Sequence, residues 1–151
     1  MALNGQPPAW AGRYVGIPFA DLGRDGDGCD CWGLVRLVIA EQAGIELPSL
    51  ATSYGSEANL AAVGNTVETA RVGGDWHRVE PGQEQPLDLV EMSTTVRGES
   101  RWVIAPLHVG VVVGAGWLLH IERATAATLA RYNDQTISRR VLGFWRHHRL
   151  A

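Results

Sequence analysis

The apolar segments of this chain change from helical to strand-like spacing along its length, and that order restricts the fold. Residues 34–40 form an apolar run, with Gly44 as the C-terminal stop, which is the pattern of a buried helix over 31–43. Strand-like runs follow later in the chain, at 87–92, 102–105, 108–113, 117–122 and 138–145. Helices that precede a series of closely spaced strands predict an α+β fold, with N-terminal helices packed on an antiparallel β-sheet.

The segments between these runs carry weaker signals. Residues 9–15 fit a short helix or an extended arm, residues 57–63 a second helix, and residues 124–130 a short helix or turn. Residues 16–28 and 73–86 are rich in turn-forming and polar residues, so they are predicted to be loops.

Length and charge limit the classes of function. A chain of 151 residues fits one domain over 1–151, with a loose arm at 1–8 and a basic tail at 146–151 that forms a solvated edge or docks on an acidic partner. A net charge of −3 gives no general attraction to nucleic acid, so direct nucleic-acid binding is not expected. No apolar run reaches the length of a membrane span, and residues 1–10 lack the features of a signal peptide. We therefore expect synthesis in the cytoplasm and no membrane insertion.

Cys31 stands where a Gly/Asp-rich loop turns into the predicted helix. Free N–H groups and the positive end of the helix dipole favour the thiolate there, which is the nucleophilic form of cysteine. Cys29 is too close in sequence for an unstrained disulfide with Cys31. We expect Cys29 to pack in the interior, with redox capping of Cys31 as the alternative, and Cys31 to be a nucleophile rather than a small core residue.

Two histidines lie on one predicted β-hairpin. A three-residue loop over 114–116 pairs His120 with Gly110 and His108 with Glu122. Both imidazoles then share one face as diagonal neighbours, about 7–8 Å apart at Cα, whereas a two-residue loop would put them on opposite faces. This pattern predicts that one histidine acts as the base for a nearby cysteine and that the other orients it.

Two metal-site hypotheses compete with this interpretation. The two cysteines and two histidines are zinc-ligand types, but a Cys-x-Cys spacing is unlike that of structural zinc sites. Asp25 and Asp27 resemble the start of a calcium loop, yet Asp30 and Arg36 occupy the positions where an EF-hand needs Gly and Glu. We expect no metal and no cofactor.

The segments that carry these residues resemble the motifs of the NlpC/P60 cysteine peptidases. Gly28–Val35 resembles the nucleophile motif, Leu107–Gly114 the His-Val-Gly-Ile strand, and Trp117–His120 the following strand with the third polar residue. Pro86–Val90 resembles the strand with Gly-Asp at its start, although Leu87 stands where glycine is usual. The resemblance implies a papain-like NlpC/P60 fold with three catalytic residues, Cys31, His108 and His120.

The resemblance also implies a substrate and a setting. The family cleaves amide bonds in the stem peptide of bacterial peptidoglycan, most often the γ-D-glutamyl–diaminopimelate bond. Trp32 and the segment Val141–Arg146 resemble the tail-associated branch in phages and gene transfer agents, whose members cut the cell wall during DNA delivery. This implies tail or hub proteins of a phage-like particle as partners, and action on the wall from that tail. A structural tail component with weak or no activity, and a thiol amidase or acyltransferase on the same fold, remain alternatives.

Phe19 departs from the family pattern. The family has an aromatic hydroxyl at this position, and a phenyl ring cannot donate a hydrogen bond to an oxyanion. The backbone N–H of Cys31 remains as one donor, Tyr14 is the nearest candidate for a second, and Asp30 is expected to support them. Loss of one donor costs roughly 10²–10³ in rate. The predicted substrate cleft is lined by Phe19, Trp32 and Gly110.

Overall fold

A computed structural model describes residues 5–49, 75–97, 102–122 and 125–150. Its strands are β1 (Arg24–Asp25), β2 (Gly28–Cys29), β3 (Trp76–Val79), β4 (Leu89–Arg97), β5 (Trp102–Gly114), β6 (Trp117–His120), β7 (Thr128–Arg131) and β8 (Val141–His147). The helices are α1 (Cys31–Ala43), the short α2 (Gln135–Ser138), and 3₁₀ turns at Ala9–Tyr14 and His148–Leu150. Six strands form one antiparallel sheet in the order β3-β8-β4-β5-β6-β7, and β1 pairs with β2. The predicted α+β class is confirmed.

Helix α1 has the bounds that its sequence predicts. The carboxylate of Asp30 accepts a hydrogen bond from the Gly33 N–H at 2.8 Å, and Gly44 ends the helix with φ of 69°. The helix packs on β5 and β6 through a buried apolar face formed by Leu34, Val35, Val38 and Ile39. Within the described ranges no helix is long and apolar enough to cross a membrane.

Residues 108–113 of β5 are buried on both faces of the strand. Its odd-numbered valines belong to the core cluster that contains the buried side of α1; these are Val109, Val111 and Val113. Val112 belongs to a second cluster, together with Val90 and Phe144. Because side chains alternate along a strand, His108 and Gly110 lie on the face of Val112.

Several predicted elements are corrected by the sheet. Strand β3 lies inside the predicted loop 73–86, and β7 replaces the helix or turn expected at 124–130. Both are strands at the edges of the sheet, where a single neighbour, β8 or β6, supplies the pairing that their own sequences do not announce. The predicted strands at 102–105 and 108–113 are one strand with a register shift between them. The helix expected at 57–63 lies outside the described residues.

Residues near both ends of the described chain make contacts that the sequence did not suggest. Residues 5–8 have no regular structure, but the Trp117 indole N–H donates to the carbonyl of Gly5 at 3.0 Å. The first residues of the expected basic tail lie in β8. Arg146 also forms an ion pair with the buried carboxylate of Asp88. The tail prediction is therefore corrected for Arg146 and for His147, which is also buried in β8.

Candidate functional site

The two hairpin histidines meet as the sequence predicted. Val111 pairs with Leu119 and Val112 with Leu118, and a Cβ on Gly110 would lie 3.1 Å from the Cβ of His120. The three-residue loop expected over 114–116 is corrected: Gly114 pairs with Trp117 across a two-residue turn, and a register shift between Val112 and Gly114 keeps both histidines on one face. His108 Nε2 lies 2.9 Å from His120 Nδ1, and the ring centroids are 5.2 Å apart. Both side chains are buried, at 3% and 6% exposure. The paired strands therefore deliver two imidazoles joined by one hydrogen bond.

Gly110 makes this approach possible. A Cβ atom on Gly110 would lie 3.0 Å from the Leu119 carbonyl oxygen and 3.1 Å from the Cβ of His120. Both distances are tighter than ordinary packing, so a larger residue would push His120 out of line. Gly110 is buried, and its role in this geometry is to admit the imidazole rather than to line an open cleft.

Burial keeps both imidazoles neutral. Desolvation lowers the pKa of His108 well below its ordinary value of 6.5, and the neighbouring His120 and Arg140 lower it further. Desolvation also lowers the pKa of His120, where Glu122 opposes the shift and Arg140 adds to it. A neutral imidazole at pH 7 is able to accept a proton, which is the state that a general base requires.

A carboxylate and a guanidinium complete this cluster. Glu122 Oε1 lies 3.7 Å from His108 Nε2, and Arg140 pairs with the same carboxylate oxygen. The Nε of Arg140 donates to the Ser93 carbonyl at 3.0 Å. Hairpin pairing predicts Glu122 opposite His108, but no sequence motif assigns a role to Glu122. Arg140 comes from the turn before β8 and has no local sequence signal.

The Cys31 end of α1 is organised by Asp30. Cys31 is the first residue of the helix and is 3% exposed. The buried carboxylate of Asp30 accepts from Gly33 N–H at 2.8 Å, from Arg24 Nη1 at 2.7 Å and from Leu22 N–H at 3.3 Å. Asp30 therefore joins the preceding loop to the first helical turn, which fits the supporting role expected of it.

Cys29 is held as an unreactive thiol. Its Sγ donates to the Asp25 carbonyl at 3.0 Å, and the side chain is fully buried. Burial raises the pKa of Cys29 to about 12, with Asp30 and Asp25 adding to the shift. These contacts support the packing role predicted for this residue.

The imidazole cluster also has the shape of a possible cation site. In the described part of the chain, the ligand atoms of His108, His120 and Glu122 lie within 4.8 Å of one another. Neither cysteine belongs to this group, so the donors differ from those of the zinc hypothesis. The Arg140 guanidinium already holds the carboxylate and opposes a cation there.

Two predicted cleft residues have different surroundings. The backbone of Phe19 forms a parallel bridge with Cys29, and Ala20 N–H donates to the Cys29 carbonyl at 2.9 Å. The backbone of Phe19 therefore lies beside the segment that leads into α1. Trp32 is 5% exposed and its indole N–H donates to the Pro48 carbonyl at 2.9 Å. The expectation for Trp32 is corrected, because a buried, hydrogen-bonded indole anchors the core and leaves no face for substrate.

Tyr14 lies at the wrong end of α1 for an oxyanion donor. Its hydroxyl donates to Glu41 at 2.7 Å and accepts from the Gln42 amide at 3.0 Å. Glu41 is ten residues beyond Cys31, which is about 15 Å along a helix. The structure does not bring this hydroxyl to Cys31, so the expectation for Tyr14 is corrected.

A buried ion pair marks the start of β4. Both carboxylate oxygens of Asp88 accept from Arg146, each at 2.8 Å, and Asp88 is fully buried. Leu87, just before it, has φ of 77°, a left-handed conformation that favours glycine. Leu87, which stands where glycine is usual in the resembled motif, therefore has a backbone conformation that glycine adopts without strain.

Comparisons with known proteins identify a matching family model and similar folds. The NlpC/P60 family model matches residues 16–146. No curated protein matches the chain. Solved structures similar to it include an NlpC/P60 family protein from Bacillus cereus ATCC 10987, at 20% identity over 94% of this chain and 41% of that chain, with a TM-score of 0.56. A similar-to-lipoprotein NLP/P60 family protein from Staphylococcus aureus Mu50 is 17% identical over 89% of this chain and 38% of its own, with a TM-score of 0.55.

A third similar structure is the NlpC/p60 domain of the peptidoglycan hydrolase SagA. It is 19% identical over 83% of this chain and 86% of that domain, with a TM-score of 0.50. The chain spans less than half of the Staphylococcus and Bacillus proteins. At these identities, the three structures support the fold.

Proposed function

The chain belongs to the NlpC/P60 family, and from that premise we propose that it is a cysteine peptidase that hydrolyses amide bonds in peptidoglycan stem peptides. The observation that carries this proposal is the buried pair of neutral imidazoles, joined at 2.9 Å, on strands that pack against the helix beginning with Cys31. A thiol at a helix start and an oriented imidazole are the two parts of a cysteine nucleophile and its base.

The proposed reaction begins with proton transfer from the Cys31 thiol to His108. His108 uses Nε2 in its bond to His120, so Nδ1 is the nitrogen assigned to the thiol proton. The thiolate attacks the amide carbonyl, and the protonated His108 returns its proton to the leaving amine as the C–N bond breaks. Water, deprotonated by His108, then attacks the thioester, and Cys31 leaves as thiolate and recovers its proton.

His120 is proposed to select the reactive form of His108. When the proton of neutral His108 lies on Nε2, it donates to His120 Nδ1 and leaves the Nδ1 lone pair for the thiol. The same contact stabilises the imidazolium that forms after proton transfer. His120 therefore orients the ring without itself touching the reacting atoms.

Fragment analysis of digested peptidoglycan tests the activity. We expect the wild-type protein to release stem-peptide fragments that end at the γ-D-glutamyl–diaminopimelate bond, as read by mass spectrometry. Cys31→Ala should release none, and Cys29→Ala is the matched control that keeps activity. Equal digestion by wild-type protein and Cys31→Ala would contradict a cysteine peptidase.

A disulfide tests whether the proposed nucleophile and base meet. His108 lies on the face of β5 opposite to the valines that contact α1, so the reaction requires the thiol of Cys31 to reach the His108 ring. In a His108→Cys variant, we expect mild oxidation to join residues 108 and 31, because such a bond needs Cβ atoms about 3.5–4.5 Å apart. A bond from residue 108 to Cys29 instead, or none at all, would argue against the pairing.

We further propose that the protein acts from the tail of a phage-like particle, in contact with tail or hub proteins. The support is the resemblance of Trp32 and Val141–Arg146 to the tail-associated branch of the family. Mass spectrometry of particles purified from a producing strain tests this setting. Presence in particles without hydrolysis would favour a structural tail component. Absence from particles, with acyl transfer to small amines, would favour an amidase or acyltransferase.

A further inference from the structure

We propose that Glu122 and Arg140 are a positioning pair for the two imidazoles, and that they select the tautomer in which His108 carries its proton on Nε2. The inference rests on the proposed function in one respect, namely that His108 is the base. It adds two residues to the site that the nucleophile and histidine motifs do not contain.

The position of Glu122 is set by the end of β6. Its backbone N–H lies 3.1 Å from the Thr125 hydroxyl, and Thr125 N–H donates to the Glu122 carbonyl at 3.0 Å. These bonds fix the backbone of Glu122, and its Oε1 lies 3.7 Å from His108 Nε2. That distance is too long for a hydrogen bond, so the carboxylate acts on the ring through its charge.

Arg140 holds that carboxylate in place. It pairs with Glu122 Oε1 through Nη2, and its Nε donates to the Ser93 carbonyl at 3.0 Å. In return, Ser93 N–H donates to the Arg140 carbonyl at 2.7 Å. The guanidinium is therefore tied to β4 on one side and to the end of β6 on the other. Its side chain is 26% exposed and that of Glu122 is 37% exposed, so water screens the pair only in part.

The charges define which tautomer is favoured. A hydrogen bond between two neutral imidazoles has two tautomeric arrangements, because either ring can be the donor. A carboxylate beside His108 Nε2 favours a proton on that nitrogen, which leaves Nδ1 as the acceptor. Arg140 offsets the carboxylate, so the imidazoles remain neutral instead of taking up a second proton.

Three described groups bring charge or a titratable ring to this corner. His120 faces His108 from β6, Glu122 follows β6, and Arg140 precedes β8. On β4 the residue paired with His108 is Met92, which is apolar. The start of α1 contributes the Cys31 thiol and the buried carboxylate of its N-cap residue Asp30. Cys31→Ala removes the thiol, and Asp30 is the same in every variant compared.

NMR titration of the histidine rings in a Cys31→Ala background tests the pair without relying on turnover. Arg140→Gln leaves the Glu122 charge unbalanced, so the pKa of the His108–His120 pair should rise, by on the order of one pH unit. Glu122→Gln removes the negative charge and should lower the pKa of the His108–His120 pair. In the double variant this pKa should return toward the value of the Cys31→Ala parent. Arg140→Lys keeps the positive charge, so the pKa of the histidine pair should stay near the parent value.

The ring ¹⁵N shifts report the second part of the proposal. At pH 7.5 the parent should show His108 protonated at Nε2, and Glu122→Gln should show a measurable population protonated at Nδ1. His77, on β3 at the far edge of the sheet, is the internal control and should not change.

The outcomes are distinguishable from failure of the peptidase proposal. If Glu122→Gln and Arg140→Gln lower only the melting temperature and move neither titration nor tautomer, the pair is structural and the inference is overturned. Shifts in the same direction for both variants would also overturn it. Should Arg140→Gln not fold, the half-exposed Glu122→Gln decides alone by its downward shift. Absence of peptidoglycan cleavage would leave these readouts unaffected.

Discussion

Two buried polar pairs lie in the same sheet and have opposite character. Asp88 and Arg146 join the start of β4 to β8 as an ion pair, in which both carboxylate oxygens accept bonds at 2.8 Å. The Gln85 N–H also donates to Asp88. His108 and His120 join β5 to β6 as neutral rings with one shared bond, which uses a single nitrogen of each ring. An ion pair in which both carboxylate oxygens are bonded is suited to hold the fold, whereas a pair with a second nitrogen on each ring is suited to move a proton.

The largest expected effect comes from a substitution in the histidine pair, which is the pair proposed to react. His108→Ala removes the proposed base and should lower the rate of peptidoglycan cleavage by roughly 10²–10⁴, because general-base catalysis contributes an effect of that size. Fragment release at saturating protein measures the loss. His77→Ala, at an exposed position on β3, is the matched control. Unchanged cleavage by His108→Ala at an unchanged melting temperature would remove the distinction between the two pairs.

The next effect comes from a substitution in the ion pair between Asp88 and Arg146. Asp88→Asn leaves the Arg146 guanidinium without its charge partner, at a site where the carboxylate is fully buried. We expect a loss of about 3–5 kcal/mol in the free energy of unfolding, as measured by urea denaturation. Asp75→Asn removes a carboxylate from the exposed contact with His148 and should change stability little. A comparable loss in both variants would show that burial of the pair is not what stabilises β4 against β8.

A smaller effect sharpens the role of the second imidazole. His120→Asn retains a side-chain oxygen that can accept from His108 Nε2, whereas His120→Ala retains no acceptor. We expect the Asn variant to keep more of the cleavage rate than the Ala variant, with stability measured in parallel. If both variants cleave like the wild type, His120 has no orienting role.

The smallest effect compares the two thiols. Cys29 is bonded to the Asp25 carbonyl and its pKa is raised to about 12, so it should resist iodoacetamide at pH 7 and react only as the pH rises toward 12. Cys31, at the helix start, should be labelled first at pH 7. Peptide mapping by mass spectrometry follows both sites. Equal slow labelling of the two thiols in the folded protein would count against an activated Cys31.

Local sequence patterns predicted the elements that carry their own signals. Gly44 was predictable as the end of α1 because a left-handed C-terminal glycine acts within a few residues, whereas the Asp30 cap at its start became evident only in the structure. A three-residue loop predicts that His108 and His120 share one face, and they do, but the loop prediction itself is wrong. Gly114 pairs with Trp117 across a two-residue turn, and a register shift between Val112 and Gly114 restores the alternation. The sequence also indicated Cys31 and the family motifs around it.

What only the tertiary structure decided is the partnership of residues far apart in the chain. Tyr14 bonds to Glu41, Trp32 to Pro48, Arg146 to Asp88 and Arg140 to Glu122. The edge strands β3 and β7 likewise exist through pairing with β8 and β6. Short-range rules determine caps, turns and alternation because their interactions close within one element. A side chain with several possible partners is assigned by the packing that brings one of them near, and that packing depends on the whole sheet.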